Sequence, residues 1–121
     1  MAIKIYEYNK CSTCRKALKF LDDKKLPYQK ISIVDQPPTL AELKKMLKVL
    51  VATGGTFKNL FNTSGIQYRE LKISDKLKNG MTESEALQLL SENGKLVKRP
   101  FVLTQEGGTV GFKEEDWKKI F

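Results

Sequence analysis

The stretch Ile3-Lys4-Ile5-Tyr6-Glu7-Tyr8-Asn9-Lys10-Cys11-Ser12-Thr13-Cys14-Arg15-Lys16-Ala17 decides how the rest of the chain is read. Its first six residues alternate large and polar side chains with a period of two, the pattern of a half-buried strand. The period then changes. Cys14, Ala17, Leu18 and Leu21 fall at i, i+3, i+4 and i+7, which gives a helix one apolar stripe and leaves Arg15, Lys16 and Lys19 in water. Cys11 thus stands just before a helix, at a strand-to-helix junction, and Cys14 begins the buried face.

That placement has chemical consequences. Unpaired backbone N–H groups and the helix dipole stabilise an anion at a helix N-terminus. Lys10 and Arg15 add positive charge, and such surroundings lower a cysteine pKa from about 8.5 to roughly 3.5–7.5. A reactive thiolate followed one turn later by a protected thiol suits a dithiol redox pair: the first attacks, the second resolves the mixed disulfide. One helical turn brings the two sulfurs within bonding reach, so Cys11 and Cys14 are expected to form a reversible disulfide. The competing readings are a zinc site and two inert thiols. A structural zinc ion normally takes four Cys or His ligands, and the chain has no His and only two Cys. Zinc would have to be shared between two chains, and no bound cofactor is expected.

With 121 residues, 40% of them hydrophobic, the chain is the size of one domain, 1–121, able to bury a core without metal or disulfide staples. No apolar run approaches the ~20 residues of a membrane span, and the N-terminus lacks a signal-peptide core. A cytoplasmic protein is expected, since a Cys-x-x-Cys pair closes too short a loop to staple a fold and suits a reducing compartment. Lys and Arg total 22 against 14 acidic residues, a formal charge of +8, which favours anionic partners. Most of the lysines, Lys44, Lys45 and Lys48 among them, alternate with apolar residues as solvated helix faces do. No recognition helix or zinc finger appears, so direct DNA binding is not expected.

Beyond the first helix, Leu26-Pro27 breaks the pattern and Tyr28–Ile33 reads as a second strand, parallel to the first across a right-handed crossover. Thr39-Leu40-Ala41-Glu42 is a capping box opening a helix with Leu43, Met46, Leu47 and Leu50 on its inner face, ended by Thr53-Gly54-Gly55-Thr56. Phe57–Ile73 mixes apolar pairs with turn formers and reads as short helices or turns. A second box, Thr82-Glu83-Ser84-Glu85, opens a helix that stops at Asn93-Gly94. Phe101–Thr104 and Thr109–Phe112, around a turn at Glu106-Gly107-Gly108, read as a hairpin. Lys113–Ile120 is a closing helix with Trp117 and Ile120 inward. The order is βαβ, a helical insertion over about 39–95, then ββα. This is the order of an α/β thioredoxin-like fold: a four-stranded mixed sheet flanked by helices. Such folds carry a cis proline facing the cysteines at the start of the third strand, and Pro100 is the residue at that place; cis bonds are essentially confined to X-Pro.

Tyr8–Ala17, Phe61-Asn62-Thr63-Ser64-Gly65, Tyr68-Arg69-Glu70-Leu71, Lys98-Arg99-Pro100 and Val110-Gly111-Phe112-Lys113 together resemble the arsenate reductase-related family that includes the Spx/MgsR proteins, and within it the small members with a Phe-Asn-Thr-Ser-Gly segment. The resemblance implies Cys11 as nucleophile, Cys14 as partner and Arg99 as an oxyanion ligand. It implies an external reductant: glutathione with glutaredoxin, or thioredoxin. In the arsenate reductases of this family three arginines hold the oxyanion; here the first of those positions matches Asn62 and the third Lys113. Lysine lacks the bidentate fork and asparagine lacks charge, so arsenate is a doubtful substrate for an otherwise arsenate reductase-like thiol-disulfide or oxyanion reductase. The Spx branch implies the alternative, a redox-responsive regulator that binds the RNA polymerase alpha subunit near the position of Gly54.

Overall fold

The structure is a computed structural model describing residues 3–121. Strand β1 (Ile3–Glu7) leads into helix α1 (Ser12–Asp23) and returns in β2 (Gln29–Ser32). The insertion follows as α2 (Leu40–Ala52), a 3-10 turn at Phe57–Leu60, α3 (Ile66–Glu70), α4 (Ile73–Lys78), α5 (Glu83–Glu92) and a second 3-10 turn at Gly94–Leu96. Strands β3 (Phe101–Thr104) and β4 (Gly107–Val110) form a hairpin, and α6 (Glu114–Ile120) closes the chain.

The sheet has the order β2-β1-β3-β4. β1 runs parallel to β2, with Ile5 opposite Lys30, and antiparallel to β3, with Ile5 opposite Val102. This is the expected mixed thioredoxin-like sheet. One expectation about β1 is overturned: it is central and covered on both faces, not half-buried. Ile3 and Ile5 join α1 and α6 in one core with Ala17, Phe20, Leu21, Val102 and Trp117. Tyr6 points the other way, into a larger core with Leu43, Met46, Leu87, Leu90 and Phe101 under the helical insertion.

Both capping boxes form. Thr39 Oγ1 accepts from the Glu42 N–H at 3.2 Å while Glu42 Oε1 accepts from the Thr39 N–H at 3.0 Å; Thr82 and Glu85 repeat the motif. Phe57–Ile73 holds the short elements its mixed composition implied. Leu60, Phe61 and Ile73 anchor them in the larger core, and a bridge between Phe61 and Val97 ties them to the return segment. The hairpin turn lies at Gln105-Glu106, one residue earlier than expected, because Gly107 and Gly108 already pair with Thr104 and Leu103. At the C-terminus Trp117 is fully buried, but Ile120 is 38% exposed and not inward. A seven-residue helix with Trp117 on its core side turns Ile120 toward the rim of a cleft. Among the described residues, no helix is long and apolar enough to cross a membrane.

Candidate active site

β1 ends at Glu7, and the chain turns through Tyr8–Lys10 into α1, the turn closed by the Cys11 N–H donating to the Tyr8 carbonyl at 3.0 Å. Cys11 has extended backbone and caps α1: its Sγ accepts from the Cys14 N–H at 3.4 Å. A thiol thus occupies the place usually taken by a hydroxyl or carboxylate oxygen. Because a thiolate is the stronger acceptor, this cap favours the ionised form.

The two thiols differ in the direction their surroundings push them. Partial burial opposes ionisation of Cys11, yet the Cys14 N–H, the Cys14 side chain and the Arg99 guanidinium together hold its pKa below the ordinary thiol value. Burial pushes the Cys14 thiol up to about 12, and the neighbouring Cys11 reinforces the shift. Cys14 has no exposed surface, whereas Cys11 is half-buried. Both cysteines are free thiols. Among the described residues there is no group of three or more Cys, His, Asp or Glu placed to hold a metal.

Arg99 reaches this corner from the segment entering β3. The Arg99–Pro100 bond is cis, as the position of Pro100 implied, and Pro100 is buried. The Arg99 guanidinium lies over the Tyr8 ring, 4.7 Å from its centroid, a stacked cation–π geometry that fixes its orientation. Tyr8 is therefore the residue that sequence reading missed. In sequence it is only the last large side chain of an alternating strand, and nothing there signals a contact with a residue on β3's approach.

Lys10, Cys11, Asn62, Arg99 and Lys113 line one open cleft of about 1560 Å³. Asn62 sits in a turn held by its own N–H donating to the Leu96 carbonyl at 2.8 Å and its carbonyl accepting from Gly65. Lys113 is the residue before α6. Arg15 is a correction: it lies on the solvent face of α1 and does not line the cleft, and the cation that acts on the Cys11 thiol is Arg99 rather than Lys10 or Arg15. Lys95 and Lys98 enter the cleft instead, giving five cationic side chains against Glu70 and Asp116. A half-buried thiol whose ionisation Arg99 favours, set in a cleft with a net cationic lining, can as its thiolate attack an electrophilic sulfur or an oxyanion centre.

Comparison with known proteins bears on the family and the fold. The chain is 43% identical to the uncharacterized protein YusI of Bacillus subtilis, over 98% of both chains. It is 29% identical to the global transcriptional regulator Spx 2 of Bacillus cereus, over 96% of this chain and 84% of that protein. The crystal structure of an ArsC family related protein from Bacteroides fragilis superposes with a TM-score of 0.90 at 46% identity, covering 100% of this chain and 98% of that one. The family model for ArsC matches residues 6–120, and with near-complete coverage by relatives on both measures the chain belongs to the ArsC family.

Proposed function

We propose that the protein is an arsenate reductase-like thiol-disulfide reductase, also open to oxyanions, with Cys11 as nucleophile, Cys14 as resolving thiol and Arg99 as anion ligand. The observation that carries this reading is the placement of the two cysteines: half-buried Cys11 caps α1, its Sγ accepting from the Cys14 N–H at 3.4 Å, while Cys14 is fully buried, which lowers the pKa of the first and pushes that of the second up to about 12. Cys11 thiolate attacks a substrate sulfur, and the substrate's first sulfur leaves as a thiolate. In the resulting mixed disulfide the Cys14 proton passes to the departing second thiolate as Cys14 attacks Cys11 Sγ. The Cys11–Cys14 disulfide that remains is returned to dithiol by glutathione with glutaredoxin, or by thioredoxin.

Arsenate is a poor fit. Asn62 and Lys113 line the cleft where arginines would give forked, charge-assisted bonds, each contributing about 1.5–3 kcal/mol, or roughly one to two decades. Glutathione-dependent arsenate turnover is expected to be weak, and N62R with K113R to raise it. Intact mass under mild oxidant is expected to fall by the two thiol hydrogens and to recover with dithiothreitol. If the mass does not change and both thiols still alkylate, the redox reading is lost.

A second reading rests on the end of α2. Gly54 has φ +89 and is exposed, with nothing within 4 Å of an added Cβ, so its position is open to a partner as well as ending a helix. It supports an Spx-like role, in which the cysteine pair senses oxidants and the protein binds the RNA polymerase alpha subunit. Capture of RNA polymerase from cell extract, set against turnover with glutaredoxin or thioredoxin, separates the two roles.

A further inference from the structure

The sheet has two edges, and they are unlike. β2 carries Lys30, follows Pro27 and is exposed and polar, the features that keep an edge strand from pairing with another chain. β4 reads Gly107-Gly108-Thr109-Val110 and carries no charge, proline or bulge. Its two-residue turn makes Thr104 and Gly107 a hydrogen-bonded pair, and the Gly111 N–H donating to the Pro100 carbonyl at 2.9 Å extends the same alternation to the other end. In an antiparallel ladder every second residue points its N–H and C=O away from its partner. Those residues are Gly108 and Val110, and among the described residues no side chain or loop backbone meets their outward groups.

This edge is half-buried along its length and bordered by clefts. The cleft that holds Cys11 takes in Gly108, Thr109 and Val110, and a second cleft of about 540 Å³ takes in Gly107 and Gly108. The two share Val49 from α2, Gly108, and Ile120 from α6. They therefore form one groove between the helices on the two sheet faces. Val110 pairs with Phe101, next to Pro100 and Arg99, so the groove's Val110 end is its cysteine end. Lys98, Arg99 and Lys113 give that end its positive charge, the first cleft also taking in Glu70 and Asp116, while at the other end Lys119 is offset by Glu106.

We propose that β4 is a docking edge for an extended, acidic segment of a protein substrate, which adds to the sheet as a fifth strand and presents its disulfide to Cys11. Main-chain hydrogen bonds to Gly108 and Val110 supply sequence-tolerant recognition, and the lysines supply the preference for acidic side chains. The proposal rests on the reading of Cys11 as a thiol nucleophile and narrows its substrate to polypeptide disulfides.

The test uses the Cys14→Ser protein, which cannot resolve a mixed disulfide. The probe is a synthetic peptide of alternating Thr and Glu with one central cysteine, activated as its disulfide with thionitrobenzoate. Cys11 thiolate attacks the peptide sulfur and thionitrobenzoate leaves as a coloured thiolate, so the rate is read directly. The expected results are faster reaction than with the single activated amino acid, and a loss of about tenfold, the factor that 1.4 kcal/mol represents, when alternate peptide nitrogens are methylated. V110P, which removes an outward N–H, is expected to narrow the rate advantage of the peptide over the amino acid. Amide exchange at Gly108 and Val110 is expected to slow when an unreactive peptide, with Ser for its cysteine, is added.

Equal rates for methylated and unmethylated peptide, with no added protection at Gly108 and Val110, would overturn the docking edge while leaving Cys11 chemistry intact. Protection that rises with protein concentration alone would assign the edge to a second copy of this chain and also overturn it. A Cys11 that reacts with neither probe sinks the thiol reading, and the docking edge then stands or falls on the amide exchange alone.

Discussion

Cys11 and Cys14 share a helix start yet differ in accessibility, in hydrogen bonding and in the direction of their ionisation, and each difference follows from one turn of helix. Cys11 is expected to alkylate with iodoacetamide with a midpoint below the ordinary thiol value of about 8.5, while Cys14 stays protonated across the neutral range. Rates over pH on C14S and C11S proteins check this; a faster, more acidic Cys14 would reverse the assignment. R99A is expected to raise the Cys11 midpoint and slow alkylation at neutral pH, where K16A, on an exposed face of α1, changes nothing. Stability responds to the two thiols with opposite sign. Cys11 has a lowered folded pKa, so its contribution is complete above about 8.5 and fades as pH falls through the folded value. Cys14 is raised, so its contribution is complete below about 8.5 and fades as pH climbs toward about 12, by ~1.4 kcal/mol per pH unit while the unfolded chain alone is ionised. C14A is expected to flatten that alkaline fall in urea titrations. The placement of the two cysteines, one capping α1 and the other on its buried face, was legible in sequence because helix periodicity and the strand-to-helix junction are local. The stack of Arg99 on Tyr8 was not, because only the parallel-antiparallel order of the sheet brings those two residues together.

At the scale of elements, legibility tracked how local each signal was. The boxes Thr39/Glu42 and Thr82/Glu85 are complete within four residues, and both helices start where the boxes put them. Glu42 also does more than cap. Its Oε2 accepts from Lys4 Nζ at 2.7 Å and its Oε1 from the Tyr6 hydroxyl at 2.6 Å, so one carboxylate fastens α2 to β1. Burial opposes ionisation, but Lys4, Tyr6 and the Thr39 N–H hold the Glu42 pKa low. Its contribution is therefore present above about 4.3 and lost as pH falls through the folded value. E42A is expected to destabilise by about 1–3 kcal/mol, and the gap from the parent in urea titration to narrow in acid; a gap independent of pH would mean that packing, and not charge, holds the two elements. The stretch from Phe57 to Ile73 was legible only as short pieces, since each is fixed by a distant partner and not by its own periodicity. Gly94 is a further case. A Cβ there would lie 1.7 Å from the Ile33 carbonyl oxygen, so the return from α5 passes hard against the end of β2. G94A is expected to displace that segment and lower stability by several kcal/mol, read as a drop in the urea midpoint. The sequence showed only a glycine after a helix, because the approach belongs to the packing of two elements.

For the whole molecule, the arrangement joins two cores to one charged cleft. α6 belongs to the smaller core, yet Trp117 Nε1 donates to the Gly111 carbonyl at 3.2 Å and the Gly111 N–H donates to the Pro100 carbonyl at 2.9 Å. Packing under the sheet is thus tied to the segment that carries Arg99. The net charge of +8 could be spread evenly over solvated faces, as the alternation of lysines along the helices suggested. Instead five cationic side chains, Lys10, Lys95, Lys98, Arg99 and Lys113, line the cleft that also holds Cys11, with Glu70 and Asp116 as its acidic lining, so an anionic reagent entering that cleft is expected to meet a net positive field. The expected outcome is that anionic iodoacetate alkylates Cys11 faster, relative to neutral iodoacetamide, than it alkylates a small free thiol, and that this advantage shrinks as salt shortens the Debye length from about 30 Å at 0.01 M to about 3 Å at 1 M. Paired rate measurements on the C14S protein across that salt range decide it. A ratio that does not move with salt would place the lysines too far from the sulfur to steer an anion, and would leave Arg99 as the one cation that matters to the chemistry of Cys11.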